Sequence, residues 1–201
     1  MERISVYIDG ANFFGGLRTI NSKYTDFKFD FYKYINHITS NKKLVSVKYY
    51  NASLKQNINP DLFKNQQKFF ERLRNYKHYT VILCKRQSRN GPDGEYFSIK
   101  GDYIHLAIDM LNDAWENKFD KAILISGDGD FSPLVKYVKK KSKKVESHHF
   151  KENISLDLAK NCDSNIIIDK KIVNKFFYRE EYTLGDTDKG KKTLRKIKNL
   201  K

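Results

Sequence analysis

No stretch of this sequence approaches the roughly 20 consecutive apolar residues that a membrane-spanning helix needs. Cysteine is scarce: Cys84 and Cys162 are the only two, far apart and in no CxxC pair. That leaves too few ligands for a zinc site, and it fits a reducing cytoplasm better than a disulfide scaffold. The opening "MERISVYIDG" carries charge without a long apolar region, so no signal peptide is expected there. Neither GxGxxG nor GxxxxGK[ST] occurs, which leaves a nucleotide cofactor unsupported. No internal repeat is found. Acids are in the minority: 24 Asp and Glu stand against 39 Lys and Arg, for a net charge of +15. Such an excess expects a polyanionic partner, nucleic acid or an acidic membrane surface, although a Lys-rich exterior also serves solubility. A chain of 201 residues, 39% hydrophobic with 14 Phe and 13 Tyr, suits one domain with a core of ordinary size and a tail.

Strand-like and helical patterns alternate. "ISVYID" (4–9), "LVSVKYYNA" (44–52), "TVILCKR" (80–86), "KAILIS" (121–126), "KVESHHF" (144–150) and "NIIID" (165–169) read as strands. Helical spacing is found in "FYKYINHI" (31–38), "LFKNQQKFFERLRNY" (62–76), "DYIHLAIDMLNDAW" (102–115), "FSPLVKYVKK" (131–140) and the short "SLDLAK" (155–160). Pro133 is tolerated in a helix's first turn. "QSRNGPDGE" reads as a polar loop with Gly-Pro and Asp-Gly turn signals. Strands separated by helices predict a parallel sheet with right-handed crossovers. Residues 170–201 hold eleven Lys/Arg and four Asp/Glu and are expected to form a basic extension to a domain spanning 1–169.

The acids fall in a pattern. In open parallel α/β sheets, ligands bind beyond the carboxyl ends of the strands, where strand order reverses. Asp9 ends the first strand, Asp128 and Asp130 follow the fourth, and Asp102 opens the helix before it, where it also suits an N-cap. Asp109, two turns on, shares the face of Asp102. Asn12 is placed to orient a carboxylate. Clustered carboxylates repel one another unless a divalent cation offsets them. Mg²⁺ or Mn²⁺ takes oxygen ligands, and can activate a water and neutralise charge on a phosphate. A basic exterior would draw in the polyanion that an acidic pocket alone repels. Phosphodiester hydrolysis is the chemistry this combination fits. Singly, each acid is also an ordinary cap, turn or ion-pair residue.

"YIDGANFF" (7–14), "KGDYIHLAIDM" (100–110), "ISGDGDFSPLVKYVKKKSKKVE" (125–146) and "LAKNCDSNIIID" (158–169) resemble, in order and spacing, the NYN domains of the LabA-like group within the PIN-like nuclease superfamily. The resemblance covers roughly residues 3–169. It implies a three-layer α/β PIN-like (Rossmannoid) domain with a central, mainly parallel sheet of about five or six strands. It also implies a Mg²⁺- or Mn²⁺-dependent endoribonuclease acting by in-line attack of an activated water. Carried over by motif, Asp9, Asp102, Asp128 and Asp130 are the metal-binding and catalytic residues, with Asn12, Asp109 and Ser126 in support. Many relatives read KGVDV, with the acid one residue later. Here Tyr103 holds that place and Asp102 must serve.

A haloacid-dehalogenase-type phosphatase would need a second acid two residues after Asp9, where Ala11 stands. "DGDFSP" cannot be a calcium loop, since Pro133 occupies the required glycine position. The alternative of a different class is a catalytically silent PIN-like scaffold that binds RNA. Expected nucleic-acid contacts are Arg86, Arg89 and Lys136, the last within a run of lysines that also suits a helix C-terminus. Tyr49 and Tyr50 are further candidates for base stacking. His148 and His149 point to opposite faces of a strand and make a poor metal pair. RNA is expected over DNA as partner, and a homo-oligomer is left open.

Overall fold

Side chains of the first strand, β1 (Arg3–Asp9), feed two different cores. Ile4, Val6 and Ile8 enter one and Tyr7 the other, all fully buried. A strand buried on both faces belongs at the centre of a sheet layered by helices on both sides. The computed structural model describes residues 1–91, 94–100 and 102–178, and for 85–91, 94–100 and Asp102 it describes the backbone path.

After β1 the chain runs through α1 (Gly10–Ile20), α2 (Phe31–Ile38), β2 (Lys43–Ala52), α3 (Pro60–Arg74), β3 (Tyr79–Gly91) and β4 (Gly94–Lys100). It continues through α4 (Asp102–Trp115), β5 (Lys121–Ile125), α5 (Ser132–Lys139), β6 (Lys144–His149), α6 (Leu156–Asn161), β7 (Ser164–Ile167) and α7 (Lys170–Phe176). The seven strands lie in the order β4-β3-β2-β1-β5-β6-β7. All neighbours are parallel except the β3–β4 pair at the edge. Helices α1, α2, α3 and α7 supply the core on one face, and α4, α5 and α6 the core on the other. This is the three-layer PIN-like α/β architecture, with six parallel strands.

The order fixes where a ligand can enter. From β1 the chain builds outward to β2 and β3, then returns to the other side of β1 as β5. The carboxyl ends of β1 and β5 therefore flank the point where strand order reverses.

Three features differ from the sequence expectation. The polar stretch after "TVILCKR" is not a loop: β3 continues to Gly91 and pairs antiparallel with β4, Gly91 facing Gly94. A polar edge hairpin has backbone pairing without apolar alternation, so only its Gly-Pro and Asp-Gly turn signals stand out in the sequence. Helix α1 is absent from the sequence pattern, because Gly10, Gly15 and Gly16 are poor helix formers. Gly16 is required by close packing, since a Cβ there would stand 2.0 Å from the Phe150 ring. Finally, the first residues beyond 169 fold onto the core: Val173 and Phe176 of α7 are buried, and the Asp30 N–H donates to the Phe176 carbonyl at 2.7 Å.

Candidate active site

Asp9 leaves β1 and caps α1. Its Oδ1 accepts the Asn12 backbone N–H at 3.0 Å, satisfying an orphan donor of the first helical turn. Its Oδ2 accepts the Ser126 hydroxyl at 3.1 Å, from the residue after β5. Ile8 pairs with Ile125 in the parallel register, so the next residue on each strand, Asp9 and Ser126, meet by geometry. Asp9 is 7% exposed and Ser126 2% exposed.

Ser126 then links the two acids. The same hydroxyl oxygen accepts the Asp128 backbone N–H at 3.1 Å, and Asp128 Oδ1 accepts the Asp130 N–H at 3.0 Å. The second bond caps the one-turn 3-10 helix Gly129–Phe131, which leads directly into α5. Gly127 is needed because the chain passes so close to its neighbour: a Cβ there would lie 2.3 Å from the Asn153 carbonyl oxygen. Asp128 is half-buried and Asp130 exposed, so the acids grade from the interior to the surface.

The turn is held from both sides. Asn12 Oδ1 accepts the Gly127 N–H at 3.0 Å and the Asn153 amide at 2.9 Å. The Gly127 carbonyl accepts the Ser155 N–H at 2.9 Å. Sequence reasoning misses Asn153 and Ser155; their only signal is that they are polar residues just beyond the carboxyl end of β6. His149 lies at that same strand end, 4% exposed, with Nδ1 3.1 Å from the Ser147 hydroxyl. Burial, with the neighbouring His148, lowers its pKa.

Asp109 belongs to a network beside this cluster. Asp109 accepts the Tyr50 hydroxyl at 2.7 Å and lies 3.8 Å from Lys48 Nζ. Tyr50 stands beside Asp9 in the β1–β2 register, so Asp109 is linked to the site through Tyr50. Tyr49 and Tyr50 are buried in opposite cores and cannot stack on a base, contrary to expectation. The sheet is covered on both faces, so two successive strand residues are both interior. Lys136 is exposed on α5. The side chains of Asp102, Arg86 and Arg89 lie outside the described residues. Asp102 does begin α4.

The donor set is carboxylate, amide and hydroxyl oxygen, the chemistry preferred by Mg²⁺ and Mn²⁺. Among the described residues, no three His, Cys, Asp or Glu side chains are grouped to hold an ion. Mg²⁺ typically uses one or two carboxylates, with waters and substrate phosphates filling the remaining positions. Asp9 and Asp128 fit that pattern in kind.

Two further acids are bound up in structure. Asp26 is buried and accepts the Tyr49 hydroxyl, and burial pushes its pKa up to about 6. Burial also works to raise Asp113, but hydrogen bonds from Lys48, Tyr7 and Lys118 outweigh it and hold the carboxyl below its ordinary value.

The family model of the NYN domain matches residues 3–169. A crystal structure of a protein of unknown function from Vibrio parahaemolyticus is similar, with 27% sequence identity and a TM-score of 0.68, covering 88% of this chain and 96% of that one. No curated protein matches. NYN domains form a nuclease-like family, generally ribonucleases, which makes nucleic acid the expected partner. Among the described residues no helix is long and apolar enough to cross a membrane.

Proposed function

The chain belongs to the NYN domain family, and on that premise we propose that it is a Mg²⁺- or Mn²⁺-dependent endoribonuclease of the cytoplasm. The observation that carries this reading is the Ser126 hydroxyl, which joins the carboxylate of Asp9 to the backbone of Asp128 across the β1–β5 switch point. Two acids from separate strands are thereby fixed at the one edge where an open α/β sheet admits a ligand. The motifs that resemble LabA-like NYN domains support placing it in that group.

Asp9 and Asp128 would hold the ion, with Asp102 and Asp130 as further oxygen donors. When bound, such an ion activates a water and offsets charge building on the phosphate. The residues of the chain supply position. Asn12 and Ser126 orient the Asp9 carboxylate, and Gly127 lets the turn lie close against Asn153. The +15 net charge draws RNA towards an otherwise repulsive acidic cleft. Lys136, Arg86 and Arg89 are proposed phosphate contacts.

The alternative is a silent RNA-binding scaffold. Incubating labelled single-stranded RNA and DNA with the protein in Mn²⁺, Mg²⁺ or EDTA separates the two. RNA cut internally with either ion and spared in EDTA supports the nuclease. Salt-sensitive binding without cutting supports the scaffold.

A further inference from the structure

A cavity lies near the acids along the chain and across the sheet. It holds about 310 Å³ between α1, the segment before α2, the carboxyl end of β2 and α3. Its lining includes Phe14, Arg18, Phe27, Asn51, Leu54 and Gln66. The size is at the lower end of small-ligand sites, roughly 300–1,000 Å³, which suits one planar ring system with its sugar.

The cavity is continuous with the site by chain and by register. Asp9 caps α1, and Ala11, two residues later, is part of the cavity wall. Tyr50 pairs with Asp9, and the next residue on β2, Asn51, is also in the wall. Ser126 lies on the other side of β1. With strands about 4.8 Å apart, the two flanks of β1 are about 10 Å from one another. That is within reach of one nucleotide from its phosphate to its base.

The lining chemistry is specific in kind. Phe14 and Phe27 are half-buried, so part of each ring is accessible. Arg18 is exposed, its guanidinium 5.6 Å from the Phe14 ring centre, and puts positive charge at the rim. The amides in the wall are already engaged. Asn51 Oδ1 accepts the Ala52 N–H at 2.8 Å, while Gln66 accepts the Leu54 N–H at 2.7 Å and donates to the Ala52 carbonyl at 3.1 Å. These two amides are therefore braced in advance, and Arg18, Thr25 and Asp26 are the remaining polar side chains of the lining.

We propose that this cavity receives the base of a nucleotide flanking the phosphate held at Asp9 and Asp128, by stacking on Phe14 and Phe27. The occupant is a nucleobase of a single strand, since a duplex keeps its bases inside. Recognition is through the ring face, with stacking as its main contribution. The inference rests on the nuclease-family reading of the acidic cleft, and it concerns substrate binding, not turnover.

The test uses the full chain carrying Asp128→Asn and a short single-stranded RNA containing 5-iodouridine. Photo-crosslinking followed by peptide mapping is expected to place an adduct on Phe14 or Phe27. Separately, Phe14→Ala is expected to weaken RNA binding about fivefold or more. The slope of log affinity against log salt should stay unchanged, because every phosphate remains paired as before. Phe14→Tyr, which keeps the ring, is expected to bind as the parent does. Adducts confined to other surfaces, or no loss with Phe14→Ala in a protein of unchanged melting temperature, would overturn the pocket. An absence of RNA binding would overturn it as well. The nuclease reading fails separately, by absence of metal-dependent cutting in the unsubstituted chain, and the crosslinking result stands independently of that outcome.

Discussion

The side chain of Asn12 holds the backbone of Gly127: its Oδ1 accepts the Gly127 N–H at 3.0 Å, across the gap between the loops that follow β1 and β5. The same oxygen accepts from Asn153 at 2.9 Å. One amide thus connects the start of α1 with two segments more than a hundred residues further along the chain. Replacing it, Asn12→Ala, leaves the Gly127 N–H and the Asn153 amide without that acceptor. The expected cost is about 1–3 kcal/mol of stability, read by denaturant unfolding, together with a fall in cleavage rate as the turn carrying Asp128 loosens. A variant as stable and as active as the parent would show that the bridge has no positioning role.

Gly127 is expected to tolerate no side chain. A Cβ 2.3 Å from the Asn153 carbonyl must displace backbone, since no flexible group can give way. Gly15, with nothing within 4 Å of the equivalent position, provides the control. Gly127→Ala should destabilise by on the order of 1–3 kcal/mol, the range of overpacking. Gly15→Ala should be neutral or stabilising by up to about 1 kcal/mol, as Ala is the better helix former. Thermal melts of the pair decide the matter, and equal melting temperatures would refute the close approach.

The acids at the switch point are legible in the sequence because an apolar run ending in Asp is a strand ending at an edge. Asp9 and Asp128 are where that logic puts them. Asn153 cannot be found in this way: an Asn in a polar turn is ordinary, and only the fold brings it to Asn12. Tyr49 and Tyr50 mislead because residues near a strand end are expected to reach substrate, whereas both are interior in a sheet buried on both faces. Helix α1 is hidden by its glycines, of which Gly10 and Gly16 pack closely against Tyr49 and Phe150. Helix α7 is hidden by its lysines, although Val173 and Phe176 at helical spacing are the signal that it packs on the core.

Asp26 predicts an unusual pH dependence. Its pKa is raised from 3.8 to about 6 in the folded state, so between those values the folded chain holds a proton that the unfolded chain has released. The contribution of Asp26 to stability therefore falls as pH rises through that window, and above about pH 6 the buried charge is a standing cost. Asp26→Asn keeps an acceptor for the Tyr49 hydroxyl without the charge. It should be more stable than the parent at about pH 7.5 by on the order of 1–3 kcal/mol, with the difference vanishing below about pH 4. Parallel stability curves across that range would contradict this.

Two truncations separate packing from charge at the C-terminal end. Ending the chain after Tyr178 retains α7 but removes eight Lys/Arg and four Asp/Glu. The salt slope of RNA binding should flatten by about 0.7 for each single-strand phosphate that is no longer neutralised. Ending after Asp169 also removes buried Val173 and Phe176. Large-to-small losses of this kind cost about 2–5 kcal/mol per side chain, so this form should melt far lower. An unchanged salt slope in the longer form would dismiss a role for residues 179–201 in binding.

If Asp9 and Asp128 are catalytic carboxylates, single-turnover cleavage of labelled RNA in Mn²⁺ reads their role, with Asp9→Asn and Asp128→Asn beside the parent. Each variant is expected to be slower by about a hundredfold or more, the scale seen when electrostatic stabilisation at the reacting phosphate is removed, with folding and RNA binding retained. Cleavage at the parental rate in either variant would contradict that role.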